Sequence, residues 1–251
     1  MRNLCLCLLI LLTGCSQRQP QQFTTDLMNR MTPVKNQGKS QTCWAYAMLA
    51  AIETEHLAWG DSVNLSAAFV EKMVEREPAA PASKRGMALI LISMIQKYGV
   101  VSYDAMRTVD TPAPRWVFMY GATYTPQEFA RSVCAPGEYA GYTPLTEGAE
   151  GELVELDEAD NWLHHRYYQY PVDTLLQRTE RAVRQGHGVC WESKTHAMAI
   201  VGLGHDEKGN PGFVMKNSWG TRQPNGGLVF VSYRDFKKKT LAVTMTRAAF
   251  S

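Results

Sequence analysis

The chain has no long basic run and no alternation of basic with aromatic residues, which excludes the electrostatic footprint of a nucleic-acid binder. Its net charge is +2, too small to select for an anionic or a cationic partner. There is no internal repeat. Cysteine is scarce, at 6 in 251 residues, and the spacing of Cys and His offers no zinc site, so neither a metal nor a cofactor is expected. No apolar run is long enough to span a bilayer; the N-terminal one, Leu4 to Leu12, falls well short. The remainder is 45% hydrophobic and 20% charged, an ordinary globular composition, and the length suffices for one large domain or two lobes.

The N-terminus reads as a targeting segment. Arg2 precedes the short apolar stretch, which ends in Leu12-Thr13-Gly14-Cys15-Ser16. That ending resembles the lipobox of bacterial lipoproteins, which implies a signal peptide over 1–14, lipidation of Cys15 and a polar tether over 15–26. An ordinary secretory signal containing cysteines is the alternative. The resemblance implies a cell-envelope protein anchored in the membrane by lipid. Ser16, which is not acidic, points to the outer membrane, facing the periplasm or the cell surface. Cys5 and Cys7 would leave with the signal. Cys134 and Cys190 then make either one disulfide or two separate thiols, since sequence does not place them within bonding distance.

The chain is organised around Pro33-Val34-Lys35-Asn36-Gln37-Gly38-Lys39-Ser40-Gln41-Thr42-Cys43-Trp44-Ala45-Tyr46-Ala47. A polar, turn-rich segment runs directly into an apolar helix with a cysteine at the junction. Free N–H groups and the partial positive charge of a helix start favour thiolate over thiol, so Cys43 is a candidate nucleophile. Gln37 stands upstream with an amide able to donate to an oxyanion forming beside Cys43.

From Cys43, apolar residues follow helical spacing to about Trp59, where Gly60-Asp61 stops the helix. Asn64 or Ser66 caps a second helix. A third runs through Met87 to Tyr98 and ends at Gly99, a left-handed cap. Residues 102–168 are rich in Trp and Tyr and read as aromatic packing under long loops, with a substrate-cleft wall as the alternative; they hold a helix start at Thr125-Pro126 and an acidic, solvated connection over 148–160. Asp173 to Gln185 forms a helix with Leu175, Leu176, Thr179, Ala182 and Val183 inward. Beyond Gly186 the texture changes to short apolar strands at 188–191, 196–202, 212–216 and 227–232. A helical half followed by a β half is an α+β architecture. The helical lobe is expected over 27–160 and the β lobe over 161–251.

A thiolate needs an imidazole to pair with it and to protonate the leaving amine. Of six histidines, His196 stands out because it opens an apolar strand, His196-Ala197-Met198-Ala199-Ile200-Val201-Gly202.

Gln37, Cys43-Trp44, His196-Ala197 and Asn217-Ser218-Trp219-Gly220, in that order, resemble the active-site segments of papain-family cysteine peptidases. The family resemblance implies a two-lobe fold with a helical left lobe and an antiparallel, barrel-like β right lobe. It implies Cys43 as nucleophile, Gln37 in the oxyanion hole, His196 as base and Asn217 as its orienter. Trp219 would cover the His196–Asn217 bond and exclude water from it. Gly86, Met87, Ala197 and Trp219 are the candidate substrate-binding residues, with core packing the alternative for Met87 and Ala197.

Four departures stand out. Gln41-Thr42 replaces the usual Gly and small residue before the nucleophile. Ser40 stands where papain begins a disulfide. Arg85-Gly86 replaces a Gly-Gly in the substrate groove, which narrows it or brings charge to it. His196 and Asn217 lie somewhat further downstream than the roughly 130–150 residues typical of the family.

Arg85-Gly86, Lys97-Tyr98-Gly99-Val100-Val101, Thr125-Pro126-Gln127-Glu128-Phe129 and Thr195-His196-Ala197-Met198 have the flavour of the bleomycin hydrolase and aminopeptidase branch. That branch's helical insertion before the histidine is missing, so a hexameric cage is not implied and a monomer is expected. The short stretch between Cys15 and Pro33 implies an enzyme made without an inhibitory prosegment. The function expected is a peptidase acting on peptides or proteins through a thioester. A peptidoglycan-peptide amidase and a non-catalytic peptide-binding lipoprotein of the same fold are the alternatives.

Overall fold

The computed structural model describes residues 22–251 except residue 120. The signal peptide, Cys15 and the first part of the expected tether lie outside the described residues. The fold is organised on helix α1, Cys43–Ala58, which is buried from Trp44 to Glu55 except at half-buried Tyr46. An α-helix apolar nearly all round must be surrounded by protein. Helices α2 (Ala67–Val74) and α3 (Ala88–Tyr98) cover one side. Ser66 caps α2 by accepting the Phe69 N–H at 3.0 Å. Gly99 closes α3 with φ 84° and ψ −170°, so it is an extended mirror-image residue and not the left-handed cap expected.

The opposite side of α1 rests on a 9-stranded sheet. Its path begins with β10 (Leu228–Ser232), β9 (Pro211–Lys216), β8 (Ala197–Asp206) and β7 (Val189–Ser193). It continues through β11 (Thr240–Thr246), β4 (Tyr139–Pro144), β6 (Arg166–Tyr170) and β5 (Leu153–Glu155). Strand β1 (Phe23–Met28) joins β8 beyond the end of β7, through Phe23↔Asp206 to Met28↔Gly202. The β4–β6 pair is parallel and the other pairs are antiparallel. Helices α5 (Val172–Arg184), α6 (Tyr233–Lys239) and α7 (Arg247–Phe250) pack on this sheet around Phe213, Phe236 and Phe250.

Several boundaries differ from those expected. The expected α+β class holds, but the sheet is open, with β10 and β5 at the ends of its path, and mixed, because β4 and β6 run parallel. The tether does not extend to 26, since Phe23–Met28 is a paired strand whose Phe23 ring stacks on Phe230. The division at 160/161 does not follow the packing either. Strands β1, β4 and β5 precede it yet belong to the sheet, and Ala140 and Tyr142 sit in the sheet's apolar core. The acidic connection over 148–160 contains β5, whose backbone pairs with β6. A hairpin, β2 (Val117–Met119) with β3 (Ala122–Tyr124), stands off the main sheet. Helix α4 (Pro126–Val133) follows it with a full capping box between Thr125 and Glu128.

The approach of the two halves is set at one glycine. A Cβ on Gly188 would lie 1.9 Å from the Ala51 carbonyl oxygen. No side chain fits there, so the backbone entering β7 lies directly on α1. This contact fixes the β7–β8 turn, which carries His196, relative to the N-terminus of α1, which carries Cys43. Among the described residues no helix is long and apolar enough to cross a membrane.

Candidate active site

Cys43 is the first residue of α1 and is half-buried. The side chain of Thr42, the residue before it, does not cap the helix. Its hydroxyl donates instead to buried Glu71 of α2 at 2.8 Å and lies 2.6 Å from the Ser40 hydroxyl. The threonine in place of the usual small residue therefore ties the entry of α1 to α2 and takes up no first-turn N–H. The Trp44 N–H is directed at the Cys43 sulfur.

His196 follows the tight turn Lys194-Thr195 and opens β8. The Ser193 hydroxyl brackets the turn, accepting the His196 N–H at 3.1 Å and donating to its carbonyl at 2.9 Å. The imidazole Nε2 lies 2.8 Å from Asn217 Oδ1. The same oxygen accepts the Ser218 N–H at 2.8 Å. An atom that accepts a backbone N–H is the carbonyl oxygen of the amide, so Nε2 carries the proton and donates. That leaves Nδ1 bare as the basic nitrogen. Trp219 stacks on the imidazole with ring centroids 5.0 Å apart. It remains 45% exposed, so it shields one face of the ring and is not a closed lid.

Gln37 is held by the same loop. Its N–H donates to the Ser218 carbonyl at 2.8 Å, and its side-chain oxygen accepts from the Ser218 hydroxyl. The amide nitrogen donates to the Ser40 carbonyl at 2.6 Å. An amide has two N–H groups, so one remains for an incoming oxyanion. Asn36 and Trp219 form an isolated β-bridge beside it. Ser218 was not singled out from the sequence. Its place in the Asn-Ser-Trp-Gly motif was the available signal.

The electrostatics act on the Cys43–His196 pair jointly. Burial pushes the Cys43 thiol up, while backbone hydrogen bonds from Ala197 and Trp44 and the Arg85 charge pull it back. Burial pushes His196 down, and the Asn217 bond opposes this. Each group alone resists ionising because a lone charge is poorly solvated here. Moving the thiol proton to His196 creates opposite charges in one cleft, and each then compensates the other.

Cys43 and His196 line one cleft with Gly86, Met87 and Ala197. Trp219 instead lines a separate cavity of about 320 Å³ with Asn36, Asn64 and Tyr103. Gly86 has a structural cause of its own, since a Cβ there would lie 2.8 Å from the Trp44 ring. The strap that carries it is pinned by two indoles, Trp44 Nε1 to the Lys84 carbonyl at 3.0 Å and Trp162 Nε1 to the Arg85 carbonyl at 2.9 Å. Arg85 does bring charge to the groove, but Asp160 holds it at 2.7 to 3.1 Å. Glu192 on β7 also lines the cleft and was missed in the sequence. The signal was a carboxylate inside an otherwise apolar strand. Cys134 and Cys190 are both buried free thiols. Among the described residues no group of three or more Cys, His, Asp or Glu is placed to hold a metal.

Comparison with known proteins places the chain in a family. Residues 19–247 match the model of the papain family of cysteine proteases. The chain is 26% identical over 213 residues to a probable cysteine protease, RD19C, of Arabidopsis thaliana, covering 80% of this chain and 53% of that protein. It is 23% identical over 205 residues to papain of Carica papaya, covering 79% of this chain and 51% of papain's full sequence. The chain thus spans about half the length of these relatives. Among solved structures, PepW from Lactobacillus rhamnosis superposes with a TM-score of 0.70 at 14% identity, over 91% of this chain and 83% of that one. A digestive procathepsin L 3 of Tenebrio molitor gives 0.57 at 17% identity, over 92% and 71%. The chain belongs to the papain family of cysteine proteases.

Proposed function

We propose that this protein is a cysteine peptidase that hydrolyses peptide bonds through a thioester. The observation that carries the reading is the His196 imidazole, whose Nε2 is locked to Asn217 while Nδ1 stays bare in the cleft shared with Cys43. Proton transfer from the thiol to Nδ1 gives the thiolate–imidazolium pair. The thiolate attacks the scissile carbonyl, and the oxyanion takes hydrogen bonds from the Cys43 N–H and the free Gln37 side-chain N–H. The imidazolium then protonates the leaving amine, and the thioester forms. The neutral imidazole next takes a proton from water, which attacks the thioester and releases the acid.

The lipobox-like Gly14-Cys15 after the short apolar run supports a lipid anchor in the bacterial cell envelope. Thr195-His196-Ala197-Met198 and Arg85-Gly86 support a place near the bleomycin hydrolase and aminopeptidase branch, acting as a monomer.

An epoxide trap for active cysteines tests the catalytic reading. Wild type should be labelled at Cys43 and cleave a peptide library, and Cys43→Ala should do neither. Equal labelling of both proteins with no cleavage would leave a binding protein. Cleavage confined to peptidoglycan peptides would identify an amidase. Metabolic labelling with a fatty-acid analogue, lost in Cys15→Ala, tests the anchor.

A further inference from the structure

We infer that Glu192 is the recognition group for a basic side chain, lysine or arginine, of the peptide substrate, seated in the cleft beside Cys43. The inference rests on the peptidase reading and names a substrate class for it.

Glu192 sits on β7, opposite Ala197 of β8, and is 3% exposed. Its Oε1 accepts the Ala88 N–H at the start of α3 at 2.8 Å. Its Oε2 is buried and has no hydrogen-bond partner. Capping α3 needs only one oxygen, so the second is unexplained by the fold. A buried carboxyl oxygen without a partner is unfavourable, and each such group in a native structure calls for a cause, a bound ligand or ion among them.

The remaining charges around the cleft are matched. Arg85 grips Asp160 with two nitrogens and also donates to the Lys194 carbonyl at 3.2 Å. Lys194 lies 3.6 Å from Glu158. Glu192 alone has no counter-ion, and it lines the same cleft as the nucleophile and the base. A long cationic side chain fits this environment in both its parts. Its methylene stem would lie along Met87 and Leu241, which line the same cleft, and its charged tip would supply the missing donors. An apolar side chain would leave Oε2 unpaired. The unfilled room is about 20 Å³, so a guest must displace something at the mouth.

Burial, reinforced by the nearby Asp160 charge, pushes the Glu192 carboxyl up to about 8. Empty, it holds a proton at neutral pH. A guest ammonium or guanidinium favours the ionised form, and that proton passes to the solvent.

The test is a positional-scanning peptide library followed by kcat/KM on matched single substrates, for wild type, Glu192→Gln and Glu192→Asp. Gln keeps an acceptor for Ala88 and removes the charge, while Asp keeps the charge. Wild type should favour Lys or Arg over norleucine at one acyl-side position by roughly tenfold or more. Glu192→Gln should bring that ratio near one while the norleucine substrate is still cleaved, and Glu192→Asp should retain part of the preference. Wild type that cleaves peptides with no basic preference overturns the inference and leaves the peptidase intact, even if no variant folds. A Glu192→Gln enzyme that keeps the preference, or loses all substrates equally, also overturns it. No cleavage and no Cys43 labelling would remove the peptidase reading, and the inference with it.

Discussion

Asn217 Oδ1 accepts two hydrogen bonds at once, from His196 Nε2 at 2.8 Å and from the Ser218 N–H at 2.8 Å. The second bond holds the amide so that the first can fix the imidazole tautomer. Replacing Asn217 with Ala leaves Nε2–H without its acceptor in a largely buried site. A lost bond of this kind costs about 1–3 kcal/mol, so kcat/KM should fall roughly 5- to 150-fold. Epoxide labelling should slow as well, because less Nδ1 base is available. A variant with unchanged labelling and turnover would show that the tautomer is set elsewhere.

Gln37 should act on the transition state and not on the ground state. Its side chain is braced by Ser218 and Ser40, with one N–H left over. Gln37→Ala should lower kcat by about 10²–10³-fold, the usual cost of one oxyanion donor, with KM little changed. Steady-state kinetics on a single fluorogenic peptide measures this. A change confined to KM would place Gln37 in substrate binding instead.

Gly86 should not tolerate a methyl group. Its Cβ would lie 2.8 Å from the Trp44 indole, which is itself buried and bonded to Lys84. Gly86→Ala should destabilise the fold by about 1–3 kcal/mol through overpacking. Urea unfolding of the two proteins gives the difference directly. Equal midpoints would mean that the strap over Trp44 shifts freely.

Glu192 should make stability depend on pH. Facing it are Cys43 from α1, Arg85 and Asp160 from the groove loops, Tyr167 from β6 and Cys190 from its own strand. Its folded value of about 8 lies above an unfolded value of about 4.3. Between these values the folded state binds more protons, so stability is full below about pH 4.3 and is lost as pH rises through 8. The loss is of order 3–5 kcal/mol. Glu192→Gln does not titrate, so it should gain on wild type between pH 5 and pH 8.5 by an amount of that order. Parallel pH profiles for the two proteins would show that Glu192 ionises as an ordinary carboxylate.

Much of this molecule is legible locally. Apolar residues at helical spacing after Cys43 mark α1, and Thr125-Pro126 with Glu128 marks the capped start of α4. The inner face of α5 is readable as Leu175, Leu176, Thr179, Ala182 and Val183. These signals depend on neighbours a few residues apart, which the linear pattern contains. Strands β1 and β5 were not legible in the same way. Phe23–Met28 and Leu153–Glu155 are partly exposed segments without a clear apolar alternation, and they are strands because β8 and β6 offer them backbone partners.

The same division runs through the site. Residue types and order, through the family resemblance they carry, pointed to Cys43, His196, Asn217 and Gln37, in keeping with the nucleophile, base and donors that thiol chemistry needs. Tertiary structure decided which imidazole nitrogen is bare, since that follows from an amide oxygen held by Ser218. It decided that Thr42 serves α2 and that Arg85 is neutralised by Asp160. It also decided that Glu192 keeps one oxygen unpaired beside the nucleophile. Hydrogen-bond satisfaction and charge pairing are sums over everything that surrounds a group, and the surroundings exist only once the sheet has closed on α1.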